Sequence, residues 1–207
     1  VELDLSRHAT SVLEKLTASA SSPAGRAGFA ARRAVLRRRE HDASRALAAL
    51  TATTDPTLPV PPIERRTLLA ASARAELGDT TRAVEELATL GIPAADLARA
   101  TILEQAKDWP SAERALADYV TKAVPPTGIM DPARQRTLAR YTTAAARAGD
   151  DAALALLRAR DGPRMPTAPF GDMFRLLTAE PVHVTADLPR GAARPRWRTI
   201  CRRLSTR

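Results

Sequence analysis

Aromatic side chains make up only 3% of this sequence, and β-branched residues are sparse within an apolar fraction of 44% that is mostly Ala and Leu. Strands favour the residue types that are scarce here, whereas Ala and Leu are strong helix formers, so the composition points to helices packed closely through small side chains. Cysteine occurs once, at Cys201, which excludes an internal disulfide and a cysteine-based metal cluster and leaves the redox compartment open. No apolar run approaches the roughly 18 residues that a membrane-spanning helix needs. Lysine is scarce as well: Arg outnumbers Lys 29 to 3. That ratio is the codon signature of a GC-rich bacterial genome, and it leaves cytoplasm and periplasm equally open. The chain begins at Val1 without a basic and apolar leader, as a trimmed N-terminus or a piece of a longer protein would. With 207 residues, 27% of them charged, it has the length and balance of one folded domain or a short solenoid.

The net charge of +9 is unevenly spread. Residues 190–207, "RGAARPRWRTICRRLSTR", hold seven Arg and no acid, so the other 189 residues carry 25 bases against 23 acids. The body is nearly neutral and the high isoelectric point belongs to the tail. Such a tail reads as an end that carries no fold information, as an appended segment, or as a contact for an acidic partner. It could also neutralise phosphates in a salt-sensitive, sequence-independent way.

"LGDTTRAVEELATL" (77–90) and "AKDWPSAERALADYV" (106–120) repeat one order of small, acidic and apolar residues. In the first, Gly78 can end a helix in the left-handed conformation and Asp79 can cap the next one. Ala83, Val84, Leu87 and Leu90 then share a helical face, as do Leu69, Ala70, Ala73 and Leu77 in the helix before. Anchored on the turn, the second stretch supplies Lys107-Asp108-Trp109 followed by Ala112, Leu116 and Tyr119. Upstream, His41-Asp42 precedes Ala46 and Leu50. Downstream, Gly149-Asp150 opens "DAALALLRAR", where Leu154 stands in place of Ala.

This pattern resembles the tetratricopeptide repeat family, whose signature has a small residue in the first helix, Gly-Asp-aromatic at the turn, and Ala five residues after that Gly. The small positions here are Ala34, Ala71, Ala100 and, less well, Thr142. The crossing positions are Ala46, Ala83, Ala112 and, less well, Leu154, with Leu87 and Leu116 packing beside them. Anchors at 41, 78, 107 and 149 are spaced by 37, 29 and 42 residues, less regular than the family's repeat, and its early Trp is missing. The resemblance covers residues 28–160 and implies an all-α fold, a right-handed α-solenoid of antiparallel helix hairpins. It also implies a protein-protein interaction scaffold whose first helices line a concave face. The outward arginines of those helices, Arg33, Arg37, Arg66, Arg74, Arg99, Arg136 and Arg140, are then the candidate partner-binding set. A planar guanidinium suits carboxylates, so an acidic protein segment or a free C-terminus is the expected partner. The same arginines would serve equally as solvated charges paired with residues such as Glu40 and Glu76.

Residues 1–27 read as an N-terminal capping helix and linker, with Leu5, Val12, Leu13 and Leu16 on one face. "SSPAGRAG", "DPTLPVPP" and "AVPPTGIMDP" read as loops between helices. Residues 161–189 read as a Pro-rich connector with a short helix near Asp172–Thr178 and an extended "VHV". Residues 190–207 are the basic tail. No Gly-rich phosphate loop, Gly-x-Ser-x-Gly elbow or His-Glu-x-x-His helix occurs, and His8, His41 and His183 lie far apart, so no catalytic, cofactor or metal site is expected. Glu85-Glu86 and Asp150-Asp151 are adjacent on helices and point in different directions. The function expected is a noncatalytic interaction module. A basic helical module for nucleic acid, using the tail and "ARRAVLRRR", is the alternative, together with an accessory domain of an enzyme lying outside this chain.

Overall fold

The computed structural model describes residues 2–165 and 170–179, with side chains from residue 5 onward. Among these residues there are ten α-helices and no strand, so the protein is all-α: α1 (Glu2–Ser19), α2 (Pro23–Arg39), α3 (Ala43–Thr51), α4 (Val60–Glu76), α5 (Thr80–Ala88), α6 (Pro93–Gln105), α7 (Trp109–Ala123), α8 (Pro132–Ala148), α9 (Asp151–Asp161) and α10 (Gly171–Leu177). A 3-10 turn at Gly162–Arg164 follows α9. The extended stretch expected at 182–184 and the tail 190–207 lie outside the described residues. No described helix is long and apolar enough to cross a membrane.

One turn is used four times, between α2 and α3, α4 and α5, α6 and α7, and α8 and α9. Its anchor, His41, Gly78, Lys107 or Gly149, has a left-handed backbone with φ of 59°, 92°, 61° and 75°. The aspartate after it donates its backbone N–H to the carbonyl five residues back, on Arg37, Arg74, Leu103 and Ala145 in turn. That bond belongs to a Schellman helix end and satisfies a carbonyl the helix would otherwise leave open. The same aspartate then starts the next helix. The side chains of Asp42, Asp108 and Asp150 accept hydrogen bonds from the N–H groups of Arg45, Ser111 and Ala153 at 3.0, 3.2 and 2.8 Å. Asp79 makes no such bond.

Packing follows the same register. Ala34, Ala71, Ala100 and Thr142, seven residues before each anchor, and Ala46, Ala83 and Ala112, five after it, are all fully buried. Side chains this small let two helix backbones approach, and Thr142 is admitted because its hydroxyl donates to the Leu138 carbonyl at 2.6 Å. Leu154 is only half-buried, and α9 turns Ala153 and Leu157 into the core instead. Leu is too large for a crossing that accepts Ala. A one-residue change of face, about 100° around the helix, puts the neighbouring Ala there.

The core runs along the chain as four clusters in sequence order: Ala34, Ala43, Ala46, Leu50 and Ala73; then Ala71, Ala83, Leu87, Ala95 and Ile102; then Ala100, Leu103, Ala112, Ala115, Leu116 and Ala144; then Val120, Val124, Met130, Leu138, Leu157, Met165 and Phe174. Val84 touches the second and third clusters and Tyr141 the third and fourth. Consecutive helices from α1 to α9 contact one another, and α2 also meets α4, α4 meets α6, and α8 meets α10.

One boundary and one buried face differ from the sequence expectation. "SSPAGRAG" is mostly helix: Ser22 caps α2 by accepting from the Gly25 N–H at 3.1 Å, and Pro23 takes the first turn, where its missing N–H costs nothing. In α1 the residues turned inward are Thr10 and Thr17, whose hydroxyls donate to the Ser6 and Leu13 carbonyls, whereas Leu5, Val12 and Leu16 are exposed.

Candidate functional site

Each of the seven arginines singled out from sequence has an interaction inside the chain. Arg33 pairs with Glu14 of α1 at 3.3 Å, Arg37 with Glu40 at 3.2 Å, and Arg74 with Glu86 of α5 at 2.7 Å. Arg140 forks onto Glu104 of α6 at 2.8 and 3.3 Å and also donates to Thr101. Arg136 lies over the Phe170 ring, 5.9 Å from its centroid. Glu76, named as a pairing residue, holds Arg38 across the α2–α4 boundary instead of a neighbour on its own helix. Arg99 is held least well: Asp96 and Asp118 are both 3.4 Å from Nη1, and its buried Nε has no partner.

Arg66 does something sequence periodicity could not show. Its guanidinium donates to the backbone carbonyls of Ala27 at 2.7 Å, Leu50 at 2.6 Å and Thr53 at 3.1 Å, and to the Thr53 hydroxyl at 2.9 Å. It is a clamp between α2, the end of α3 and α4, and burial pulls its pKa below the ordinary guanidinium value. Arg164 works the same way at the other end, bonding the Pro125, Pro126, Thr127 and Gly128 carbonyls and the buried Asp161 carboxylate.

The surface left open lies beside the Arg66 clamp. A groove of about 830 Å³ runs between α2 and α4, with Leu13 of α1 at one edge and Leu58 of the α3–α4 loop at the other. Its apolar lining comes from Ala31, Val35, Leu36 and Leu69, and its rim from Arg32 and Arg65; among the described residues no acid lines it. Arg32, Val35, Leu36 and Arg39 recur at helical spacing, so the side of α2 that carries apolar residues into the groove also carries cations. Arg32, Arg39 and Arg65 are exposed and have no carboxylate partner among the described residues. Gly28 lines the groove too, and a Cβ built there would meet no atom within 4 Å. Sequence reasoning assigned Arg32 and Val35, within "ARRAVLRRR", to a nucleic-acid alternative rather than to a groove and passed over Arg65, although the Arg-x-x-Val-Leu-x-x-Arg spacing of residues 32–39 was the available signal.

A second groove, of about 570 Å³ between α5, α6 and α7, mixes Glu85, Asp108 and Asp118 with Arg99 and Arg114 and so presents no single sign of charge. Beside it, Glu113 has its pKa pushed up by burial first and by the Asp150 carboxylate second, with Arg114 offsetting part of this. Among the described residues no three His, Cys, Asp or Glu side chains are grouped as a metal site would require. Comparison with protein-family models, with curated proteins and with solved structures finds no match in any of the three, so the functional reading rests on this geometry.

Proposed function

We propose that this protein is a noncatalytic interaction module. It resembles a tetratricopeptide-type right-handed solenoid of antiparallel hairpins and binds a segment of another protein in the groove between α2 and α4. The observation that carries the reading is a groove on the first helices of the two N-terminal helix pairs with an apolar lining, Arg32 and Arg65 on its rim and, among the described residues, no acid. Four uses of one turn, with small residues buried at the same offsets, support the repeat architecture. The partner that fits is a segment with two or three apolar side chains for the lining and Asp or Glu flanking them for Arg32, Arg39 and Arg65. Apolar burial would supply most of the affinity, and the rim charges the orientation and the rate of encounter.

The test is selection of displayed peptides against the full chain, followed by affinity measurement with Gly28→Leu and Arg32→Glu/Arg65→Glu variants. Gly28→Leu fills the groove from a position with open space around it and improves helix propensity, so it should fold at least as stably and lose binding. Charge reversal should weaken the selected acidic-apolar peptides roughly tenfold or more, with a smaller loss at high salt. Peptides without acids, or binding indifferent to Gly28→Leu, would place the interaction elsewhere.

A further inference from the structure

A different arrangement of arginines lies at the other end of the chain, on α8. Arg136, Arg140, Thr143 and Arg147 recur at i, i+4, i+7 and i+11 and line a single cleft of about 290 Å³. The cleft is closed at one end by Trp109, from the first turn of α7, and at the other by Phe170, just before α10. Arg147 lies over the Trp109 ring, 4.4 Å from its centroid, and Arg136 over Phe170 at 5.9 Å. Among the described residues the only acid lining the cleft is Glu104, and it is taken up by the fork of Arg140. Arg136 and Arg147 are both exposed and neither has a carboxylate partner among the described residues.

Contact with an aromatic ring restrains a guanidinium, closely for Arg147 at 4.4 Å and loosely for Arg136 at 5.9 Å, so less freedom remains to be lost on binding. Its edge still offers N–H donors to an anion, and its exposed face offers a flat cation on which another π-system can stack. Two such platforms stand on one face of α8, eleven residues or about 16 Å apart, with Arg140 between them. An acidic peptide would use the edges and leave the faces empty. A single strand of nucleic acid uses both, because its phosphates meet the guanidinium edges and its bases stack on guanidinium or aromatic faces without regard to sequence.

We infer that the α8 cleft binds single-stranded nucleic acid, with bases stacking on the Arg136–Phe170 and Arg147–Trp109 platforms. This site is separate from the α2–α4 groove.

The chain has two tryptophans, Trp109 and Trp197. In full-length protein carrying Trp197→Phe, emission therefore reports from the cleft alone. Titration with short oligothymidylate should quench Trp109 saturably, while polyglutamate of matched charge leaves it unchanged. Arg136→Lys/Arg147→Lys keeps both charges and removes both planes; it should weaken oligonucleotide binding roughly thirtyfold or more, as loss of stacking at two bases implies. Deleting residues 190–207 should leave the Trp109 quench in place. Oligonucleotide binding without a Trp109 response, unchanged affinity in the double lysine variant, loss of all binding with the tail, or equal quenching by polyglutamate would each overturn the assignment, the last in favour of an acidic protein segment. Circular dichroism of the double lysine variant should match the parent, since both side chains are exposed.

Discussion

Arg66 sits where an outward-facing charge was expected and is instead the residue that ties three segments of chain together. Its bonds go to carbonyls at Ala27, Leu50 and Thr53, the farthest of them 39 positions away in sequence. Removing a half-buried charged donor that serves several acceptors costs more than removing a surface ion pair. Arg66→Met should therefore lower unfolding stability by about 2–3 kcal/mol, read as a fall in urea midpoint, and Arg66→Lys should recover only part of it because an ammonium cannot span the same fork. By contrast, Arg45→Ala, at an exposed pair with Asp42, should change stability by less than about 0.5 kcal/mol. Glu113 carries the opposite kind of charge. Its pKa is raised above 4.5 by burial and by Asp150, so the folded state holds the proton more tightly than the unfolded chain. Folding then takes up a proton between the ordinary and the raised value, and stability falls as pH rises through that window. Glu113→Gln should be more stable than the parent at pH 7, and the two urea midpoints should converge below pH 4.5; equal midpoints at neutral pH would mean that solvent reaches Glu113 well enough to cancel both the burial cost and the Asp150 repulsion.

At the scale of the element, the turn is the unit, and its sequence is more permissive than its geometry. Two of the four left-handed anchors are Gly78 and Gly149, and two are His41 and Lys107, which pay a steric cost that Gly avoids. His41→Gly and Lys107→Gly should each stabilise by about 0.5–1 kcal/mol, and Gly78→Ala and Gly149→Ala should each destabilise by about 1 kcal/mol or more. Thermal unfolding of the four single variants checks the sign at every anchor; destabilisation by His41→Gly would mean that its side chain makes a contact outweighing the backbone strain. These turns were legible from sequence because a small set of residues, Gly or a tolerated substitute followed by Asp, performs a local task. The buried Ala positions were legible for the same reason, since their offsets from the anchor are fixed by helix geometry. What was not legible depends on distant chain. Nothing around Arg66 announces that carbonyls of α2 and α3 will surround it, and nothing around Arg136 announces Phe170. The slip in α9 is an intermediate case: Leu154 marks the departure, but only packing decides that Ala153 takes its place. The groove was legible in part, because residues 32–39 carry its α2 half in their spacing, while its α4 half needs the helices brought together.

For the whole molecule, the contacts that matter are between near neighbours in sequence. The four core clusters succeed one another along the chain; Val84 joins the second to the third and Tyr141 the third to the fourth, while the first and second share no residue. A core built this way has no central nucleus on which every element depends, so stability should be regional. Among the described residues Phe174 is the largest fully buried side chain and belongs only to the last cluster, where it packs α10 against α8. Phe174→Ala removes about 3–5 kcal/mol of packing. If stability is regional, hydrogen exchange should accelerate in α8, α9 and α10 and remain at parent rates in α2, α3 and α4. The α2–α4 groove should then keep its affinity for selected peptides in Phe174→Ala, while the α8 cleft loses its oligonucleotide, because Phe170 is positioned by the same cluster. Uniform acceleration from α2 to α10 would instead show one cooperative unit, in which a ligand at either end stabilises the other through shared folding. The exchange pattern thus decides whether the two surfaces act as independent sites on one chain or as sites coupled through its stability.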